Sequence, residues 1–147
     1  MANVITSAPD AIVHGTSGSD MLYSTGGGET YYGGAGNDSF VISLKSLQAP
    51  ATDGLTYHDT IKADAAILDF GGAGGWSATN NDFLALTGFS AGSTFTFAKY
   101  GVHGSGVDVT SQFYTIHDAA TNHDFTIFIH STDGKLLSKG TGDVNFY

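Results

Sequence analysis

Gly15-Thr-Ser-Gly-Ser-Asp-Met-Leu-Tyr23, Ser24-Thr-Gly-Gly-Gly-Glu-Thr-Tyr-Tyr32 and Gly33-Gly-Ala-Gly-Asn-Asp-Ser-Phe-Val41 are three consecutive nonapeptides, and their common phase decides the fold. Position four is Gly18, Gly27 and Gly36. Position six is Asp20, Glu29 and Asp38, and position eight is Leu22, Tyr31 and Phe40. The first six residues of each unit make a turn in which glycine admits positive φ and leaves carbonyls bare. The last three make a short strand whose middle side chain points inward. Successive turns fall on alternate sides of a flattened coil, so the first turn stacks on the third. A Ca2+ ion then sits between stacked turns, held by position-six carboxylates and turn carbonyls. The third unit follows G-G-x-G-x-D-x-U-x at every position and the first departs only at Thr16. The second is degraded at its start and carries Glu29 for Asp.

The rest of the composition points the same way. Of 147 residues, 21 are Gly and only 2 are Pro, a bias that suits turns and β-rich stacks better than helices. With 41% hydrophobic residues the chain can fill a core, so wholesale disorder is not expected. The formal net charge is −9, Glu29 is the only glutamate among 14 acids, and all 5 bases are lysine. A nucleic-acid partner requires a positive footprint and is excluded on this charge. Attraction to anionic membranes is disfavoured, and no apolar run reaches transmembrane length. There is no Cys, hence no disulfide, iron–sulfur cluster or thiolate zinc site. No Sec-type leader is visible over residues 1–13. Short carboxylates in a glycine-rich acidic chain suit hard cations held by oxygen.

The nonapeptides resemble the calcium-binding RTX, or hemolysin-type, repeat. The match covers residues 15–41. It implies an all-β fold: a short RTX parallel β-roll packed on an antiparallel β-sandwich or β-roll extension. The chain reads as a single domain over 1–147, with repeats in 10–42 and a β-rich C-terminal region in 43–147. Asp20 and Asp38 are the candidates to share one Ca2+, with carbonyls of Gly15, Ser17, Gly34 and Gly36 completing about six or seven oxygens. Solvated turn acids are the plain alternative. Glu29 has no acid nine residues after Asp38 to act with it. Asp59, Asp64, Asp69 and Asp82 are candidates for a second metal site beyond the repeats, or are exposed strand-end acids.

Two further resemblances extend the first. Asp38-Ser-Phe40-Val-Ile42, Asp64–Phe70 and Asp82–Leu86 run in the order D-x-F-x-F, D-x-I-x-D-F, D-x-I-D-L. That series is similar to serralysin C-terminal domains and to the R-modules of mannuronan C5-epimerases, although the middle element here has one extra residue. Over 82–147, L-T-G-F-S-A-G-S-T-F-T-F, Y-x-I-H-D, I-H-S-T-D-G and a D-x-x-F-Y end resemble the Ra-type domains of bacterial adhering proteins. This resemblance implies calcium-dependent binding of capsular or exopolysaccharide. The tail Asp143–Tyr147, an acid followed by apolar residues, resembles an uncleaved type I secretion signal within 138–147.

Other motifs carry weaker chemistry. Gly88-Phe-Ser90-Ala-Gly92 fits G-x-S-x-G, but alternating Thr and Phe follow it, which predicts a strand where a nucleophile elbow needs a helix. It reads as a turn. Gln112–Asp118 and Asp124–His130 flank Ala119–Asn122 as a hairpin, with Asp118 opposite His123, Ile116 opposite Phe125 and Tyr114 opposite Ile127. In that register His117 and His130 share a face and His123 lies on the other, so a three-histidine zinc site does not converge. No H-E-x-x-H motif and no marked pair of acids is present, and no catalytic group stands out. Tyr23, Tyr31, Tyr32, Tyr57, Trp76, Tyr100 and Tyr114 include the candidate sugar-stacking rings. The expectation is a secreted, non-catalytic calcium-binding module, extracellular or at the cell surface, that binds polysaccharide and is exported by a type I secretion apparatus. The alternative is a C-terminal secretion and folding module of a larger type I-secreted enzyme such as a protease, glycanase or epimerase.

Overall fold

Strands of three to five residues cannot bury a face alone, and the chain solves this by sending alternate strands to two sheets that share one core. The computed structural model describes residues 3–6, 12–24, 29–48, 55–57, 61–73, 81–137, 139 and 142–147. In chain order come β1 (Asn3–Thr6), β2 (Ile12–His14), β3 (Asp20–Tyr23), β4 (Glu29–Tyr32) and β5 (Ser39–Ser43). β1, β3 and β5 pair in parallel in one sheet; β2 and β4 pair in parallel in the other. A short helix α1 (Leu44–Gln48) follows. A small antiparallel pair, β6 (Leu55–Tyr57) and β7 (Ile61–Ala63), comes next. β8 (Ala65–Phe70) then joins β4, and β9 (Phe83–Thr87) joins β5. The alternation of the nonapeptides therefore resumes after the detour and runs on through β9.

Three long strands complete the second sheet: β10 (Thr94–His103), β11 (Gly106–Asp118) and β12 (His123–Ser131). The final strand, β13 (Val144–Phe146), completes the first. The orders are β1-β3-β5-β9-β13 and β10-β11-β12-β8-β4-β2. The antiparallel region extends the coil edge-on: β12 pairs in parallel with β8. The expected arrangement, an extension packed on the coil, differs here for a physical reason. The free edge of β8 carries N–H and C=O groups that need partners, and β12 supplies them. The hairpin register is the expected one, with Asp118 opposite His123, Ile116 opposite Phe125 and Tyr114 opposite Ile127, and it sets Phe113 opposite Phe128.

The core is two apolar ladders facing each other. Leu22, Phe40, Leu84 and Val144 are register partners along the first sheet; Val13, Tyr31, Ile67 and Ile129 are partners along the second. All eight are buried. The Phe40 ring lies 6.2 Å from both Tyr31 and Phe70, closing the space between the sheets. Each such side chain contributes about 1.5–3 kcal/mol by leaving water. The tail is part of this architecture: Val144 is buried, the Asp143 carbonyl accepts from Leu84 N–H (2.8 Å), and Tyr147 N–H donates to Leu86 (2.7 Å). Of the 138–147 segment, Ser138, Gly140 and Thr141 lie outside the described residues. Among the described residues no helix is long and apolar enough to cross a membrane.

Candidate metal centre

The first and third nonapeptide turns stack directly. Gly15 N–H donates to the Tyr32 carbonyl (2.7 Å), and Asn37 N–H donates to Ser19 Oγ (3.1 Å). A Cβ at Gly15 would lie 2.1 Å from the Gly33 carbonyl oxygen, and one at Gly34 would lie 2.2 Å from that of Thr16. The Gly18 carbonyl faces Gly36 in the same way. The turns come this close because neither carries a side chain between them. The oxygens at this contact are those of Thr16, Gly18 and Gly33, each adjacent in sequence to an expected carbonyl donor among Gly15, Ser17 and Gly34. A third rung continues the stack. Asn81 N–H donates to Asn37 Oδ1 (2.9 Å) and Phe83 N–H to the Asp38 carbonyl (2.7 Å).

Three aspartates form a ladder along these rungs. Asp20 N–H donates to Asp38 Oδ1 (2.9 Å), and Asp38 N–H donates to Asp82 Oδ1 (2.9 Å). Gly71 N–H donates to Asp82 Oδ2 (2.8 Å). Asp20 Oδ2 accepts from Thr16 N–H (2.5 Å). Asp20, Asp38 and Asp82 are all buried. Asp38 Oδ2 is the exception in the ladder: it has no hydrogen-bond partner among the described residues although the residue is 1% exposed. Such an oxygen costs about 1–3 kcal/mol unless something satisfies it.

The charges of the ladder are held against their preference. Burial pushes the Asp38 carboxyl up to about 6, opposed by the Asp20 amide and reinforced by the charges of Asp20 and Asp69. Burial pushes Asp82 up to about 7, opposed by the Gly71 and Asp38 amides and reinforced by Asp38 and Asp69. Folded-state values above the unfolded 3.8 mean that the folded chain binds more protons across this window, so stability falls as pH rises through it. Other acids act in the opposite sense. Hydroxyls of Thr110 and Ser111 hold Asp108 down to about 2, and the Thr121 hydroxyl holds Asp118 well below the usual range. Their contribution is present above the unfolded value and is lost only in strong acid. In EDTA the melting temperature is therefore expected to rise from about pH 8 to about pH 5 and to fall again below about pH 4. Thermal melts in EDTA across that range check this, and a flat profile between pH 8 and 5 would refute it.

The described members of the second group, Asp64, Asp69 and Asp82, do not assemble as one site. Asp59 lies outside the described residues. Asp64 faces the antiparallel region, its carboxylate accepting from Thr126 N–H (2.8 Å). Asp69 accepts from Gly33 N–H (2.7 Å) and Gly34 N–H (2.9 Å), and Asp82 is the third rung of the ladder. Asp69 and Asp82 thus belong to the surroundings of Asp38. Glu29 is buried in β4 and accepts from the Tyr31 hydroxyl. Among the described residues no three carboxylate or imidazole side chains converge as a ligand group. The stacked turns hold one carboxylate oxygen without a hydrogen-bond partner among the described residues, and carbonyls brought close by the absence of Cβ atoms. That donor set fits a hard cation.

The remaining motifs resolve as structure. Gly88–Gly92 is a turn into β10, and Asp118 anchors it. The carboxylate accepts from Ser90 Oγ (3.1 Å), Ser93 Oγ (3.3 Å), Thr121 N–H (3.0 Å) and Thr121 Oγ1 (2.6 Å). His117 Nδ1 lies 2.6 Å from Asp124 Oδ1, and the His123 ring packs on Phe125 at 4.7 Å. Of the candidate stacking rings, Tyr31 and Tyr114 are core residues, and Trp76 and the Tyr57 side chain lie outside the described residues. Tyr23 instead lines a groove of about 370 Å³ on the outer face of the first sheet, with Met21, Ser39, Val41, Phe83, Ala85, Thr87 and Tyr147. The period-two pattern of β3, β5 and β9 carries that signal, because the residues between the inward positions share one outer face. No family model, curated protein or solved structure matches the chain.

Proposed function

We propose that this chain is a calcium-binding RTX β-roll module, non-catalytic, that binds extracellular polysaccharide. The observation that carries the reading is Asp38 Oδ2, a buried carboxylate oxygen without a hydrogen-bond partner among the described residues, at the contact of two stacked, glycine-built turns. Bound Ca2+ supplies positive charge there and lets the carboxylate ladder stay ionised. Asp38 would hold the ion directly, Asp20 from the rung above, and turn carbonyls would complete the shell. The glycan part of the reading draws support from the outer groove, where Tyr23, Phe83 and Tyr147 offer ring faces beside the hydroxyls of Ser39 and Thr87.

A chain of net charge −9 is not drawn to an anionic polysaccharide by its overall field. Binding then uses cation bridges and short-range ring contacts. Retention on acidic exopolysaccharide is expected in calcium, to persist at moderate salt because screening acts beyond about 8 Å, and to vanish in EDTA. Pull-down in the two buffers is the test. A second reading, a secretion and folding module of a larger exported protein, draws on the tail. With Val144 buried and β13 paired to β9, the Val144–Phe146 part of such a signal would be displayed only while the chain is unfolded. Absence of binding to any polysaccharide in calcium would leave that second reading standing.

A further inference from the structure

We infer that Asp69 is a positioning residue that keeps the Asp38 carboxylate available to a cation; the inference rests on the calcium reading above. It comes from comparing two turns that the repeat makes equivalent. In the first, the turn closes on its own aspartate: Thr16 N–H donates to Asp20 Oδ2 (2.5 Å), and Thr16 Oγ1 lies 3.1 Å from both carboxylate oxygens. The residue matching Thr16 in the third turn is Gly34, which has the amide but no hydroxyl. That amide does not return to Asp38. It donates to Asp69 Oδ2 (2.9 Å), while Gly33 N–H donates to Asp69 Oδ1 (2.7 Å).

Asp69 stands on β8, the parallel neighbour of β4 in the second sheet, and β4 runs directly into Gly33 and Gly34, so Asp69 meets the start of the third turn from the adjacent strand. By taking both amides it leaves Asp38 with one oxygen on Asp20 N–H and the other with no partner among the described residues. The free oxygen points at Gly33, where a Cβ would lie 2.4 Å from it. A buried carboxylate oxygen will take whatever donor is offered. Without Asp69, the donor at hand is Gly34 N–H, and the third turn would close on itself as the first does. With Asp69 in place, the donor must come from outside, and a cation meets that need.

Calcium titration by calorimetry, together with melts in EDTA and in calcium, tests this on the full chain with Asp69→Ala, Asp69→Asn and an Asp124→Asn control. Asp124 is an exposed acid paired with His117, so the control removes one charge away from the turns. Asp69→Ala is expected to weaken calcium binding about 10- to 100-fold, the usual range for a group that orients a metal ligand. The calcium-induced rise in melting temperature should shrink while the melt in EDTA changes little, because Asp38 gains Gly34 N–H. Asp69→Asn keeps one acceptor oxygen and should lie between Asp69→Ala and the wild type; Asp124→Asn should match the wild type. Equal lowering of both melts at unchanged affinity would make Asp69 a plain structural anchor and overturn the inference. So would identical affinities for Asp69→Ala and Asp69→Asn, since charge alone would then explain the loss. A wild-type chain indifferent to calcium would overturn the calcium reading itself, and this inference with it.

Discussion

Millimolar calcium should raise the melting temperature of the wild-type chain by several degrees over its value in EDTA. The ladder concentrates buried carboxylates along one edge of a chain that already carries −9, and without metal these charges repel. A ligand that binds only the folded state stabilises it by mass action, by about 2.7 kcal/mol at a hundredfold excess over its dissociation constant. At this size, about 2 kcal/mol corresponds to a shift of about 4–8 °C. Asp38→Ala should remove most of the increment, because it deletes the ladder oxygen that has no partner among the described residues. Glu29→Ala should leave the increment in place and lower both melts, since Glu29 is buried beside the Tyr31 hydroxyl. Scanning calorimetry in the two buffers decides it. Superimposable wild-type melts would remove the metal from the account, and a larger loss of calcium response in Glu29→Ala would show that the turns are read in the wrong phase.

The second large effect is steric. Gly34→Ala should destabilise the chain by about 3 kcal/mol or more, adding backbone strain to a collision. Gly34 has φ +94°, and its Cβ would lie 2.2 Å from the Thr16 carbonyl oxygen. That oxygen belongs to the backbone of the stacked turn, so no flexible side chain can move aside, and relief requires the two turns to part. Gly104→Ala is the comparison that separates strain from collision. Its φ is +62° and nothing lies within 4 Å of the added atom, so only the cost of the left-handed backbone applies, about 1–2 kcal/mol. Urea titrations of both variants are the measurement. Equal losses would mean that turn stacking contributes nothing beyond local conformation.

Much of the coil was legible in the nonapeptides because their period states both geometry and chemistry. Positions four, six and eight give a turn, a carboxylate and an inward side chain, and Leu22, Tyr31 and Phe40 are buried as that reading requires. The hairpin of β11 and β12 was legible for a similar reason: its pairs are close in sequence, and one face must be apolar throughout. The place of Asp82 was not legible. It occupies the rung after Asp38, yet residues 42–81 intervene, and no local period spans them. The groove around Tyr23 and Phe83 was legible only in part: the period-two pattern marks its residues as outward-facing, but β3, β5 and β9 become neighbours only on pairing.

By itself, the sequence determined that the chain is built of strands, that turns 15–20 and 33–38 are equivalent, and that acids cluster on them. These are properties of short windows, where glycine frequency and a fixed spacing of residue types act directly on backbone conformation. Only the tertiary structure decided that the coil runs on through β8 and β9, that the antiparallel strands extend its second sheet, and that the C-terminal strand closes its first. It also decided that the two equivalent turns differ, because Asp69 takes the Gly33 and Gly34 amides and leaves Asp38 one oxygen short of a donor. The physical reason is common to all of these. Unpaired strand edges and buried polar atoms take their partners from whatever the folded chain brings within reach, and that is set by which strands become neighbours and not by spacing along the chain.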